Sequence, residues 1–231
     1  MSNQPVLEVC CGSLASALAA VEGGASRIEL CSALSLDGLT PSIGLVRELR
    51  RLFPDLLIHV LIRHREGDFV YTEAELRVME CDIHAAAEAG ASAIVSGALT
   101  PEGNIDLPAT ARLIRAAAGL PFTFHRAFDL VPDQFQALRQ LHSLGVCRIL
   151  TSGGAATAEA GIPNLRRLVS QAAVTILPGG GVTRHNVAQI LNATGASEIH
   201  GSCSVTLPNG QRQTSAEEVR AVLKSLNHIS L

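Results

Sequence analysis

The chain has 231 residues, of which 47% are hydrophobic, and its formal net charge is −3. Its 18 lysines and arginines are scattered, which argues against a nucleic-acid partner, and no apolar run reaches the roughly 18 residues of a membrane span. Because the first residues lack the basic and apolar regions of a signal peptide, we expect a cytoplasmic protein whose six cysteines are reduced.

Short apolar segments alternate with helix-compatible segments along the chain. The predicted strands are Val6–Cys11, Arg27–Cys31, Leu57–Arg63, Ala93–Ala98, Phe122–Phe128, Arg148–Thr151, Val174–Leu177 and Ser197–Ser202. The predicted helices are Ser13–Glu22, Ile43–Leu52, one capped by Thr72 and Glu75 that ends at Gly90, Leu107–Ala118, Pro132–Leu144, Thr183–Thr194 and one beginning at Ser215. Eight such units predict an α/β fold, a single (β/α)₈ TIM barrel over residues 1–231, because doubly wound sheets usually have fewer strands.

Polar side chains share one face of several predicted strands. A surrounding ring of helices requires the apolar faces to point outward, so these polar faces line the barrel. The candidate catalytic residues selected in this way are Glu8, Glu29, Arg63, His125, Glu198 and His200. His125 could act as an acid, a base or a metal ligand, with an inward carboxylate as its partner. The alternative is a buried network of Glu–Arg pairs that only satisfies its own charges.

A glycine-rich loop follows the seventh strand and precedes a helix. Its backbone N–H groups and the helix dipole suit a phosphate or a carboxylate, although three glycines could also form only a tight turn. The candidate anion-binding residues are Gly179, Gly180 and Gly181, with Thr151, Ser152 and Gly153 at the end of strand six, Ser202 at the end of strand eight and Arg65 after strand three. For Arg65 and the strand-six segment, ordinary loop structure is the alternative.

Cys10 and Cys31 share the inward face at the ends of the first two strands. Neighbouring strands lie about 4.8 Å apart, and thiolates are suitable ligands for Cu(I) and Zn(II). Two inert buried thiols are the alternative interpretation. Cys81 and Cys147 are expected in the core.

Several short segments, taken in their order along the chain, together resemble the copper homeostasis protein CutC family. They are Leu7–Cys11, Gly23–Ser32, Gly38–Ser42, Gly67–Tyr71, Thr123–Asp129, Arg148–Gly153 and Pro178–Val182. The resemblance implies a cytoplasmic barrel with a role in copper handling, and it puts Cys10 and Cys31 at the family's suggested copper-ligand positions. Two departures affect loop shape: His64 and Glu66 replace the family's Pro and Gly, and the chain after His200 is short.

Two functional hypotheses follow. The first is a Cu(I)-binding homeostasis protein that uses Cys10 and Cys31, with His125 or His200 as a further ligand. The second is a lyase or isomerase that acts on a small phosphorylated or carboxylated substrate at the carboxyl ends of the strands. A barrel that binds a ligand without catalysis is a third option. The expected partner is thus a copper ion or a small anionic molecule, and a homodimer is expected from the frequency of two-fold assemblies.

Overall fold

Eight parallel strands form a nearly closed barrel with helices around it, in a computed structural model that describes residues 4–227. The strands are β1 (Val6–Cys11), β2 (Arg27–Leu30), β3 (Leu57–Leu61), β4 (Ala93–Ser96), β5 (Phe122–Phe124), β6 (Arg148–Thr151), β7 (Thr175–Pro178) and β8 (Glu198–Gly201). Their pairing order is β7-β6-β5-β4-β3-β2-β1-β8, with β7 and β8 adjacent at its two ends. The predicted TIM barrel is therefore confirmed.

Helices follow the strands around the outside of the barrel. They are α1 (Leu14–Glu22), α2 (Ile43–Leu52), α3 (Glu73–Glu88), α4 (Leu107–Ala116), α5 (Gln134–Ser143), α6 (Ile162–Gln171), α7 (Val187–Thr194) and α8 (Ala216–Leu226). A hairpin of β9 (Ser204–Thr206) and β10 (Arg212–Thr214) lies between β8 and α8. The capping box of α3 is confirmed, because Thr72 accepts from the Glu75 N–H while the Glu75 carboxylate accepts from the Thr72 N–H.

Three local structures differ from the prediction. Helix α6 was not predicted, because Gly161 at its N-cap provides no capping side chain. Helix α7 begins later than expected, since Asn186 Oδ1 accepts from the Thr183 N–H and forms a turn first. Strand β5 ends at Phe124, and Arg126–Leu130 forms a 3₁₀ helix instead of continuing the strand.

The outward faces of the strands form the core with the helices, whereas the inward faces carry the buried charged groups. Ile28 and Leu30 of β2 and Val60 of β3 are fully buried in the outer core. Arg27 and Glu29 alternate with them and point into the barrel, where they are also buried. The predicted alternation is confirmed, and it places charged groups in the barrel interior beside apolar side chains such as Leu61 and Val95.

A network of ion pairs fills the amino-terminal part of the barrel interior. Glu198 at the start of β8 accepts two hydrogen bonds from Arg148 and one from Arg27. Burial opposes ionisation of Glu198, but these two guanidinium groups keep its pKa below its usual value. Arg27 Nε also lies 3.1 Å from Glu8 Oε2. In this part of the barrel, the glutamates and arginines therefore form the self-satisfying network that is the alternative to a functional site.

We expect Glu198→Gln to destabilise the barrel, because an amide leaves two partly buried guanidinium groups without a counter-charge. The expected loss in the free energy of unfolding is about 3 kcal/mol, at the lower end for a buried pair since Glu198 is partly exposed. Urea denaturation measures this loss. The control is Glu48→Gln, which removes an exposed pair with Arg51 and should change little. Equal stability of the two variants would contradict the structural role of Glu198.

Candidate functional site

A cleft of about 590 Å³ opens at the carboxyl ends of the strands. Its polar lining comprises Cys10, Glu29, Asp37, Arg63, Gly67, His125, Arg126, Asp129, Gly180, Gly181, Thr183, His200, Gly201, Ser202 and Arg212. Its apolar lining comprises Leu34, Leu61, Phe69, Leu130, Leu150 and Val182. A volume of this size lies within the usual range for small-molecule pockets.

Two cysteine thiols meet at the base of this cleft. Parallel pairing puts Cys10 of β1 opposite Glu29 of β2, so Cys31, just beyond the end of β2, lies beside Cys10. The two Sγ atoms are 3.7 Å apart. Cys10 is 7% exposed and lines the cleft, whereas Cys31 is fully buried behind it. The hydrogen bond with Cys31, burial and the nearby Glu29 raise the pKa of Cys10 well above its usual value, so this thiol keeps its proton.

His200 lies beside Cys10 and is oriented by a buried carboxylate. The β1–β8 register pairs Glu8 with His200, and the His200 Nδ1 is 2.9 Å from Glu8 Oε1. Burial favours the neutral imidazole, but contacts with Cys10, Glu29 and Glu8 raise the pKa of His200 well above its usual value. Burial alone would raise the pKa of Glu8, yet His200 and His59 hold it well below its usual value. Glu8 and His200 therefore form a buried ion pair.

Cys10, Glu29 and His200 form a group whose sulfur, oxygen and nitrogen atoms all lie within 4.8 Å of one another. Burial raises the pKa of Glu29, so its carboxyl group tends towards the neutral form. This group, with Cys31 behind it, is a combination of residue types that can hold a metal ion.

His125 differs from His200 in its proton arrangement. Its Nδ1 accepts a hydrogen bond from the Ala127 N–H at 3.3 Å, at the start of the 3₁₀ helix. Burial and the charge of Arg63 lower the pKa of His125 to about 3, so the ring is neutral at physiological pH. Because Nδ1 is the acceptor, the ring proton lies on Nε2, which has no partner within residues 4–227. The inward carboxylate expected beside His125 is absent from the same part of the chain.

The two arginines that follow β3 stabilise loops. Arg63 lines the cleft, but its guanidinium donates to the carbonyls of Leu36, Gly38 and Gly67. Arg65 pairs with Glu75 and Asp68 and does not line the cleft. His64, where the resembled family has proline, lies 3.2 Å from the same Glu75.

An internal carboxylate occupies the anion-binding groups predicted at the end of β6. Asp129 accepts hydrogen bonds from the Thr151 hydroxyl, from the N–H and hydroxyl of Ser152, and from the Gly154 N–H. Arg126 donates to Asp129 at 2.8 Å and to the Ser152 hydroxyl. Arg126 and Asp129 line the cleft but were not among the predicted site residues, because a strand over Phe122–Phe128 gives Arg126 an outward orientation. The continuous motif from Thr123 to Asp129 was the available signal.

The three glycines after β7 have two roles: one permits close packing, and the other two line the cleft. A Cβ on Gly179 would lie 2.6 Å from Leu150 and 3.2 Å from His200, so this glycine permits close packing beneath the site. Gly180 and Gly181 have φ values of +100° and +71° and line the cleft. Their N–H groups donate to no other group within residues 4–227. Ser202, beside this loop, accepts from Arg212 and contacts Ser204.

The structure therefore brings only part of the predicted set together at the cleft. Those that line it are Cys10, Glu29, Arg63, His125, Gly180, Gly181, His200 and Ser202, with Cys31 directly behind. Those that do not are Glu8, Arg65, Thr151, Ser152, Gly153, Gly179 and Glu198. Cys81 and Cys147, expected in the core, are exposed.

Comparisons with known proteins agree with this architecture. The sequence model of the CutC family matches residues 5–205. The chain is 45% identical to a family protein CutC of Bacteroides thetaiotaomicron over 89% of this chain and 83% of that protein. It is 41% identical to the copper homeostasis protein cutC homolog of Homo sapiens, over 100% of this chain and 85% of that one. The crystal structure of CutC from Streptococcus agalactiae superposes with a TM-score of 0.82 at 37% identity, covering 86% of this chain and 98% of that one.

Within residues 4–227, every helix is too short or too polar to cross a bilayer.

We expect the neutral His125 to make the barrel acid-sensitive in a defined range. Since its pKa is about 3 in the folded state against 6.5 in the unfolded chain, the unfolded state binds one more proton between these values. Stability is full above about pH 6.5 and falls with pH towards 3, by up to about 1.4 kcal/mol per unit from this group. Urea denaturation at several pH values should show this loss reduced in His125→Asn, which keeps an acceptor for the Ala127 N–H.

His142→Asn is the control, because it removes an exposed imidazole from α5. It should retain the acid sensitivity of the unmodified protein. An unchanged pH slope in His125→Asn would contradict the assignment of a neutral buried imidazole.

Proposed function

The chain belongs to the CutC family, and we propose that it acts in copper homeostasis by binding Cu(I) through the thiolates of Cys10 and Cys31. The observation that carries the proposal is the 3.7 Å separation of their sulfurs. Zinc–thiolate bonds are about 2.3 Å long, so one ion with bonds of similar length can bridge sulfurs up to about 4.6 Å apart. Soft thiolate ligands favour Cu(I) over the harder divalent ions.

His200 supports this proposal as a third ligand. Its Nδ1 is bound to the Glu8 carboxylate, so the proton that must leave on metal binding is the one on Nε2, towards Cys10. A carboxylate behind a ligating histidine is a common arrangement at metal sites, where it fixes the ring and raises its basicity. His125 lacks this arrangement, since using its Nε2 as a ligand would move the ring proton to the atom that accepts from Ala127.

The burial of the two sulfurs supports a specific metal site over nonspecific metal binding. Cys31 is fully buried and Cys10 is the one exposed to the cleft, so the ion would enter from that side. Because the hydrogen bond with Cys31 and burial keep the Cys10 thiol protonated, binding would release protons. A site of two reduced thiols fits a reducing compartment such as the cytoplasm.

We expect the reduced protein to bind one Cu(I) tightly under anaerobic conditions in competition with a chromogenic chelator. Cys10→Ser and Cys31→Ser should each weaken the affinity by more than about a hundredfold, since loss of a supporting group behind a ligand alone costs about 10–100-fold. His200→Gln should have a smaller effect in the same direction, because both thiolates remain.

Cys81→Ser and Cys147→Ser are the matched controls, because these thiols are exposed and outside the cleft. They should leave the affinity unchanged. Circular dichroism of each variant tests whether a loss of binding reflects unfolding. Folded Cys10→Ser and Cys31→Ser proteins that bind copper as before would refute the proposed site.

A further inference from the structure

We propose that the cleft also binds a small organic anion next to the metal site. The proposal is independent of copper binding, since it depends on groups other than Cys10 and Cys31. The groups that carry it are the Nε2–H of His125, the guanidinium groups of Arg126 and Arg212, and the N–H groups of Gly180 and Gly181.

The size of the cleft is the first observation. A metal ion needs no more space than a water molecule, which takes about 30 Å³ in the liquid, whereas the cleft holds about 590 Å³. Part of its wall is apolar, formed by Leu61, Phe69, Leu150 and Val182 with Leu34 and Leu130. Polar donors on a partly apolar wall are typical of a site for a small organic molecule.

His125 is the second observation. The ring lines the cleft, is 5% exposed, and lies 4.8 Å from the Phe69 ring. Its Nδ1 accepts from Ala127, which leaves Nε2–H as a donor without a partner in residues 4–227. A buried donor without an acceptor is costly, and a ligand oxygen at this point would remove that cost.

Two guanidinium groups line the cleft together with the glycine loop. Arg126 has its Nη1 3.5 Å from the position that a Cβ on Gly180 would take. Arg212 donates to the hydroxyls of Ser202 and Ser204, and Ser202 is the residue after Gly201, which packs against Val182 of the loop. In both arginines Nη1 has no partner within the described chain, and Arg212 there contacts no carboxylate.

The loop N–H groups complete a site for an oxyanion. Gly180 and Gly181 line the cleft, and their N–H groups donate to no group of the described chain. Asp129, the nearby carboxylate, is already satisfied by Arg126 and the donors of β6, and Asp37 is the exposed carboxylate of the lining. The chemistry fits a carboxylate or phosphate group at the loop and a carbonyl or hydroxyl oxygen at His125.

Two-dimensional NMR of the reduced protein, titrated with inorganic phosphate and separately with malonate, tests the proposal. We expect saturable shifts of the Gly180, Gly181 and Ser202 amides, with the tighter probe indicating which oxyanion the site prefers. Arg212→Gln should weaken binding of that probe by about tenfold or more, as expected for loss of a charge-assisted contact. In the free protein, the ¹⁵N shifts of His125 should show the proton on Nε2.

Arg220→Gln is the control, because this arginine pairs with Glu22 on the exposed surface of α8. It should not change probe affinity. Cys31→Ser should also bind the probe normally, so a failure of copper binding and a failure of anion binding are separate results. His125→Ala is the second variant. It should lose the amide shifts that a probe with a carbonyl group, such as oxaloacetate, causes in the unmodified protein. Absence of saturable shifts at the loop, or equal affinity in Arg212→Gln, would overturn the proposal.

Discussion

The carboxylate of Glu8 lies inside the barrel, and groups from three other strands converge on it. His200 of β8, His59 of β3 and Arg27 of β2 lie within 3.1 Å of its oxygens. A carboxylate buried this deeply retains its charge only because these groups surround it. The barrel interior is therefore organised in two levels, with an ion network towards the amino ends of the strands and a thiol and imidazole group above it. Glu8 belongs to both levels through its two oxygens.

The two inward histidines differ in the group that their Nδ1 atoms contact, and this difference sets the role of the other ring nitrogen. His200 has its Nδ1 on a carboxylate, which directs the other nitrogen towards the thiols as a potential ligand. His125 has its Nδ1 on a backbone N–H, which makes the other nitrogen a donor. The difference arises from the backbone, because β8 continues through His200 whereas the chain turns into a 3₁₀ helix immediately after His125. The potential ligand nitrogen of one imidazole and the free donor nitrogen of the other therefore lie at different places in the same cleft.

Sequence alone predicted the barrel and the inward faces of several strands, because alternation in a strand and the carboxyl-end rule for barrels are local and general. Alternation does not determine depth. Glu198 and His200 have the same parity, yet Glu198 starts its strand and pairs with Arg148, while His200 reaches the cleft. The pairing of Asp129 with the end of β6 could not be predicted either, since it depends on a turn after β5 that redirects the chain. Helix α6 was not predicted because its N-cap residue, Gly161, has no capping side chain.

The contact between Glu8 and His200 joins the first strand of the barrel to the last one, 192 residues apart in sequence. The thiol pair comes from the first two strands, but its imidazole neighbour becomes available only when β8 closes against β1. During synthesis, the amino-terminal half supplies Arg27 and His59 to Glu8 but still lacks His200, one of the three groups that surround this carboxylate. The complete set of side chains around the two thiols therefore exists only once β8 has paired with β1.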